Sequence, residues 1–425
     1  MAALVIASRI HRAWLVAATA FAVLLAAASF RSTTGVLLEP LESEFDWTRG
    51  ITSGAVSLNL VLYGLTAPFA AALMQRFQMR QVITTALALV AFGAGATIFI
   101  TAPWQLYVTW GLSIGFGTGS MAVVFGAIVA NRWFVKHRSL VTGIFSAASA
   151  TGQLIFLPLF AWLSEGSGWR YASLVTACAS LLLIPFVWLL LRDRPSDVGL
   201  QPYGAAVDYR VEEVSHRSLL AAAVSTVSLF RQATPSGAFW ILMGSFFVCG
   251  WTTNGLIQTH FVPAAHDHGM PTTTAASLIA AVGVFDLIGT IASGWLTDRI
   301  NPRYLLITYY GLRGLALLSV PVVLGPAVEW PLLFFIVFYG LDWVATVPPT
   351  VQLCREAFGL ERSGVLYGWV FASHMVGAGV AASFSGWVRQ TQGDYNIAWF
   401  VAAALAITAA ASVGFIPKGR AKAFA

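Results

Sequence analysis

Apolar stretches of about 20 residues recur twelve times along this 425-residue chain, and that recurrence leaves few folds open. Only 10% of the residues are charged and 58% are hydrophobic, with a mean hydropathy of +0.75. A water-soluble domain carries about 25% charged residues. Lipid must therefore be the solvent for most of this surface. Inside a bilayer every backbone N–H and C=O needs a partner within the chain, so the spans must be helices. They fall near Arg12–Leu38, Ile51–Met74, Gln81–Ile100, Trp104–Phe134, Ser139–Leu163 and Tyr171–Leu191. After a polar segment they resume near Phe239–Val262, Ala275–Leu296, Tyr304–Leu324, Pro331–Leu353, Gly364–Val388 and Ile397–Ile416.

The polar segment divides the chain into an N-terminal six-helix bundle (1–191), a linker (192–235) and a C-terminal six-helix bundle (236–425). A short amphipathic helix in the linker, near Leu219–Phe230, suits the membrane surface. Assigning loops alternately puts about nineteen Lys/Arg on the linker side and about three (Arg49, Arg170, Arg389) on the other. That asymmetry predicts a multi-pass protein of the plasma (inner) membrane with linker and both termini in the cytoplasm. The net charge of +6 is spread over short loops, which argues against nucleic acid as a partner. A phosphate-binding glycine loop is missing, so no ATP motor, nucleotide or other cofactor is expected. Cys178, Cys249 and Cys354 fit no zinc spacing or complete disulfide framework and read as packing residues. The N-terminal apolar run continues past Arg31 to Leu38, too long for a signal peptide. His266-Asp267-His268, in the loop after span seven, falls short of a four-ligand metal site on spacing. The expectation is a monomer in lipid, without enzymatic activity.

Ionisable groups within the spans single out the candidate site. In Ala275–Arg303, Asp286 lies about 18 Å along the helix from Asp298, halfway through a hydrocarbon core of about 30 Å. A carboxylate at that depth is by default a site hypothesis. Thr290, Ser293 and Thr297 follow on the same face. Burial favours the protonated acid, so Asp286 suits proton coupling or a cation; the plain alternative is a packing carboxylate. Asp342 precedes Pro348-Pro349 in span ten, where proline frees backbone carbonyls. Arg313 in span nine is either its structural partner or a substrate ligand. Arg31 in span one can grip a carboxylate bidentately, or snorkel to the interface. His374 in span eleven titrates near neutral pH. Asn254 with Gln258, and Asn59 with Tyr63, share helix faces at i, i+4 spacing and are candidate hydrogen-bonding groups.

The halves repeat weakly: Ala71–Arg80 precedes Gly294–Arg303 by 223 positions, pairing Arg76 with Arg299 and Arg80 with Arg303. With twelve spans and a central linker, this chain resembles the major facilitator superfamily, whose turn motif is Gly-x-x-x-Asp-Arg-x-Gly-x-Arg. The second copy here is Gly294, Asp298, Arg299, Asn301 and Arg303, one glycine short. The first keeps Arg76 and Arg80 but has Ala71 and Gln75 where the motif has glycine and aspartate. The resemblance implies an all-α membrane fold of two pseudo-symmetric six-helix bundles and a gating role for these turns.

Within the superfamily the chain is similar to the monocarboxylate transporter and oxalate:formate antiporter branch. Arg31-Ser32 with Glu39, Tyr63-Gly64, Asn131-Arg132-Trp133-Phe134 with Arg138, and Gly168-Trp169-Arg170 carry that likeness. Asp286 falls where the branch has an aspartate in span eight, but Thr290 stands where the branch has an arginine. The resemblance implies a secondary transporter of a small organic anion, a monocarboxylate, with Arg31 holding the carboxylate, Asp286 and Asp342 sensing protonation, and transport by proton coupling or exchange. Efflux of a cationic or amphipathic compound, and a non-transporting sensor with the same fold, are the alternatives.

Overall fold

The computed structural model describes residues 11–121, 123–205 and 219–417. Among them, eleven helices are long and apolar enough to cross a membrane. The spans are α1 (Arg12–Phe45), α2 (Arg49–Arg76), α3 (Met79–Thr97), α4 (Pro103–Trp133), α5 (Arg138–Gly166) and α6 (Trp169–Leu190). They continue as α7 (Gly237–Asp267), α8 (Thr272–Thr297), α9 (Pro302–Val323), α10 (Trp330–Phe358), α11 (Leu360–Gln392) and α12 (Asn396–Val413). The twelfth span is α5, whose 29 residues reach about 43 Å. The fold is the all-helical, two-bundle architecture expected from the sequence.

Several helices depart from the boundaries that hydropathy suggests. α1 runs two turns beyond Leu38, because the acids on that extension are paired. Glu39 meets His266, Glu42 meets Arg49, and Glu44 takes both ends of Arg170. α4 and α7 widen into π-helical turns at Tyr107–Ile114 and Trp251–Ile257. α10 is not continuous: its helix stops at Asp342 and restarts at Val347. The linker helix, Leu219–Ala233, is docked on protein rather than only on lipid. Trp369 Nε1 of α11 donates to the Thr226 carbonyl at 3.1 Å, and the Phe230 and Trp369 rings lie 4.8 Å apart. Earlier in the linker, Tyr203 exchanges backbone bonds with Trp133, Val135 and Lys136 at the end of α4.

The bundles meet along α2–α11, α5–α8 and α1–α7. Small residues bring the backbones together, as membrane helices require where no apolar effect drives them. A Cβ on Gly64 would collide with Met375, and one on Gly386 with Ser53. At the face opposite the linker this seam is closed by polar contacts. Gly50 N–H donates to Gln390 Oε1 at 3.3 Å, and Thr273 N–H to Glu165 Oε1 at 3.0 Å. Ser57 Oγ lies 2.6 Å from the Gly379 carbonyl and 2.7 Å from Ser383 Oγ. Toward the linker face, a Cβ on Gly143, Gly294, Gly364 or Gly368 meets open space among the described residues.

Candidate functional site

The sequence candidates separate into two groups at mid-depth. The first surrounds the break in α10. Pro348 and Pro349 carry no N–H, so the Val344 and Ala345 carbonyls lose their helical partners. Val347 N–H turns back to the Val344 carbonyl at 2.9 Å, and Ser293 Oγ of α8 donates to the Ala345 carbonyl at 2.5 Å. Trp343 N–H takes the Gly340 carbonyl, which leaves Val344 N–H without its usual acceptor; Asp286 Oδ1 accepts it at 3.0 Å. The same oxygen accepts from Thr290 Oγ1 at 3.0 Å. Close packing permits this reach, since Gly289 lies against the Leu341 carbonyl and Gly340 against Phe285 and Val282.

Arg313 completes the accounting from α9. Its Nε donates to Asp342 Oδ2 at 2.5 Å. One terminal nitrogen reaches the Asp342 and Trp343 carbonyls at 2.6 and 3.2 Å; the other reaches Cys249 Sγ and Thr252 Oγ1 at 3.2 and 3.3 Å. A guanidinium has five N–H groups, and these five contacts use them all. Arg313 is wholly buried. Of the two roles open from sequence, this geometry favours Asp342's partner and leaves no donor for a substrate. Among the described residues Asp342 Oδ1 is buried without a hydrogen-bond partner.

The second group lies on the seam between the bundles. His374 is buried on α11, with Nε2 3.1 Å from Asn254 Oδ1 of α7. Its ring stacks parallel to Phe371 at 5.9 Å, and Phe371 in turn meets Tyr63 of α2 edge-on at 6.2 Å. His374 Nδ1 is buried and unpartnered among the described residues. Gln258 is also buried, and its carbonyl and that of Thr259 would lie 2.9 and 2.8 Å from a Cβ on Gly35. The backbones of α1 and α7 therefore touch there. Both helices run away from the linker face, so one turn back along each brings the backbones of Arg31 and Asn254 to a common depth. The Arg31 side chain lies outside the described residues. Asn59 turns away, donating from Nδ2 to the Trp110 carbonyl at 2.7 Å.

The remaining candidates take local partners. Asp298 ends α8, and Arg299 folds back on the Trp295 carbonyl and ring. Arg303 binds the Ile416 and Pro417 carbonyls and lies 3.6 Å from Glu356, while Asn301 caps α9. Arg80 stacks over Trp188 at 4.9 Å, Arg76 is exposed at the end of α2, and the side chains of Ala71 and Gln75 lie outside the described residues. His266, Asp267 and His268 diverge: Asp267 takes Arg389 bidentately and His268 Nδ1 meets the Ala264 carbonyl. Cys249 corrects the packing assignment, since its sulfur links Arg313 to Thr346 Oγ1 at 3.2 Å. A lone thiol in an apolar run gives no hint of such a role; only Thr346, four residues after Asp342, was a visible signal.

Two helical bundles that enclose buried polar groups at mid-depth, with polar contacts across the seam at the end opposite the linker, have the build of a membrane carrier. A family model described as Major Facilitator Superfamily matches residues 19–382 and again 265–423, and the chain belongs to that superfamily of transporters. It is 26% identical over 396 residues to monocarboxylate transporter 13 of Bos taurus, covering 92% of this chain and 86% of that one. It is 27% identical over 399 residues to monocarboxylate transporter 11 of Mus musculus, covering 91% and 83%. An uncharacterized MFS-type transporter of Bacillus subtilis (strain 168), YcxA, is 24% identical over 383 residues, covering 88% and 87%. The fold matches the crystal structure of a D-xylose-proton symporter with a TM-score of 0.69, at 16% identity over 96% of this chain and 98% of the other.

Proposed function

We propose that this chain is a secondary active transporter of a small organic anion, a monocarboxylate, working by alternating access with proton coupling or exchange. The two halves, 1–191 and 236–425, rock about the seam, with the linker and termini in the cytoplasm. The observation that supports the reading is the close approach of α1 and α7 at Gly35 and Gln258, which puts the Arg31 and Asn254 backbones, one turn back on each helix, at a common depth. Arginine keeps its charge in a dry passage and matches the fork of a carboxylate. Arg313 is spent within its own half, so it does not compete for the anion. The names of the mammalian relatives support the same substrate class. His374, held by Asn254 at one nitrogen and lying beside the Cys249 thiol, provides a second polar contact or a proton at the seam. Efflux of a cation is less well supported, because Asp342 is paired with Arg313 and Asp286 with Val344 and Thr290.

The test is uptake of radiolabelled lactate, pyruvate, acetate and formate into proteoliposomes, with and without an inward proton gradient. At least one should enter or exchange. Arg31→Ala should abolish that flux, and Arg31→Lys should retain part of it. A folded preparation that moves none of them, or an Arg31→Ala variant that transports normally, overturns the reading.

A further inference from the structure

Side chains of two neighbouring helices reach backbone groups of the break in α10, and Asp286 supplies the acceptor for the Val344 N–H. We propose that Asp286 is a positioning residue, whose carboxylate fixes the bend of α10 and through it the α10–α7 wall of the central site. The proposal stands on the geometry of this chain and does not depend on which substrate is carried.

The path of the effect is short. Asp286 holds Val344, and Ser293 holds Ala345, the next residue. Thr346 follows, and its hydroxyl meets Cys249 Sγ of α7. One turn further along α7 is Asn254, the partner of His374. Thr253 Oγ1, beside Asn254, is itself anchored on the Cys249 carbonyl at 2.7 Å. A shift at the break is thus transmitted to the seam through contacts between polar atoms, with Gly289 and Gly340 leaving no slack between α8 and α10. Both hydrogen bonds to Asp286 arrive at one oxygen, Oδ1. An amide oxygen accepts the same two bonds, so the brace does not require a negative charge. That separates this role from a proton-carrying role, which asparagine cannot perform.

The experiment uses full-length protein in lipid nanodiscs and follows N-ethylmaleimide modification of Cys249 by peptide mass spectrometry. An aliquot denatured in detergent, in which the thiols react fully, is the internal standard. In the wild type Cys249 should be protected. Asp286→Ala should raise its rate about tenfold, the scale of stranding one buried donor, while Asp286→Asn should leave the rate near wild type. Ser293→Ala, which frees the Ala345 carbonyl of the same break, gives a second perturbation if Asp286→Ala does not fold, and should also expose Cys249. Equal exposure in Asp286→Asn and Asp286→Ala overturns the proposal. So does continued protection in Asp286→Ala, or in Ser293→Ala when Asp286→Ala cannot be folded.

Discussion

Removing the Arg313 guanidinium tests whether the C-terminal half is held by its buried ion pair. Arg313→Ala withdraws five hydrogen bonds at once and leaves Asp342 ionised, or forced to take a proton, in a site shut off from water. Breaking a buried pair from one side costs about 3–5 kcal/mol. Taking about 4 kcal/mol, at about 1.4 kcal/mol per decade, the folded-to-unfolded ratio falls roughly a thousandfold. Arg313→Lys should recover little, since an ammonium has three donors on a flexible stem in place of a five-donor fork. The double variant Arg313→Met, Asp342→Leu should be milder than Arg313→Ala, because removing both charges removes the desolvation that the pair was offsetting. The assay is equilibrium denaturation of the purified full-length protein in mixed micelles, followed by tryptophan fluorescence. A loss under about 1 kcal/mol for Arg313→Ala, the range of an exposed pair, would refute the reasoning. So would a double variant as unstable as the sum of the two singles, since contacting groups must couple.

Two further perturbations calibrate the electrostatics away from mid-depth. Arg170 grips Glu44 through both terminal nitrogens, yet both side chains are more than a third exposed; Arg170→Ala should therefore cost at most about 1 kcal/mol in the same denaturation assay. In the linker, burial raises the Asp193 carboxyl above its ordinary 3.8, against the pull of the Met79 N–H and Arg132. A raised folded value means the native state binds more protons than the unfolded chain, so this group's contribution to stability falls as pH rises from just below 3.8 through the folded value. Asp193→Asn keeps an acceptor for Met79 and should flatten that part of the stability profile; an unchanged slope would show that Asp193 does not produce it.

The sequence displays depth well and adjacency poorly. Asp286, Arg313, Asp342 and His374 stand out because an ionisable group within an apolar run is expensive, and all four lie at mid-depth. Their division into a brace around α10 and a patch on the seam was not legible, because it depends on which helices touch. Pro348-Pro349 announced a disturbed α10, but nothing in one chain says that α8 and α9 supply the missing partners. Cys249 was hidden for the opposite reason: a thiol is apolar enough to pass as packing. The overlong α1 follows the same logic. Glu39, Glu42 and Glu44 look like the end of a span until His266, Arg49 and Arg170 are seen beside them.

The contacts also sort by strength in the way that a rocking carrier needs. Within the C-terminal half, one buried guanidinium ties three helices together. Between the halves at the closed face stand single hydrogen bonds, each worth only about 0.5–1.5 kcal/mol net, and a Glu39–His266 contact that is largely exposed. Few such bonds must break for that face to open, whereas the interior of each half stays intact. A covalent bond at the seam should therefore stop transport where ordinary substitutions only shift it. Ser57 and Ser383, on α2 and α11, bring their oxygens to 2.7 Å, and a disulfide needs Cβ atoms about 3.5–4.5 Å apart. With Cys178 replaced by alanine, Ser57→Cys with Ser383→Cys should cross-link under a mild oxidant. Transport of the substrate should then cease and return on reduction. Full uptake by quantitatively cross-linked protein would mean that α2 and α11 never part at this level, and the opening of this face would have to be sought at α1–α7 and α5–α8 instead.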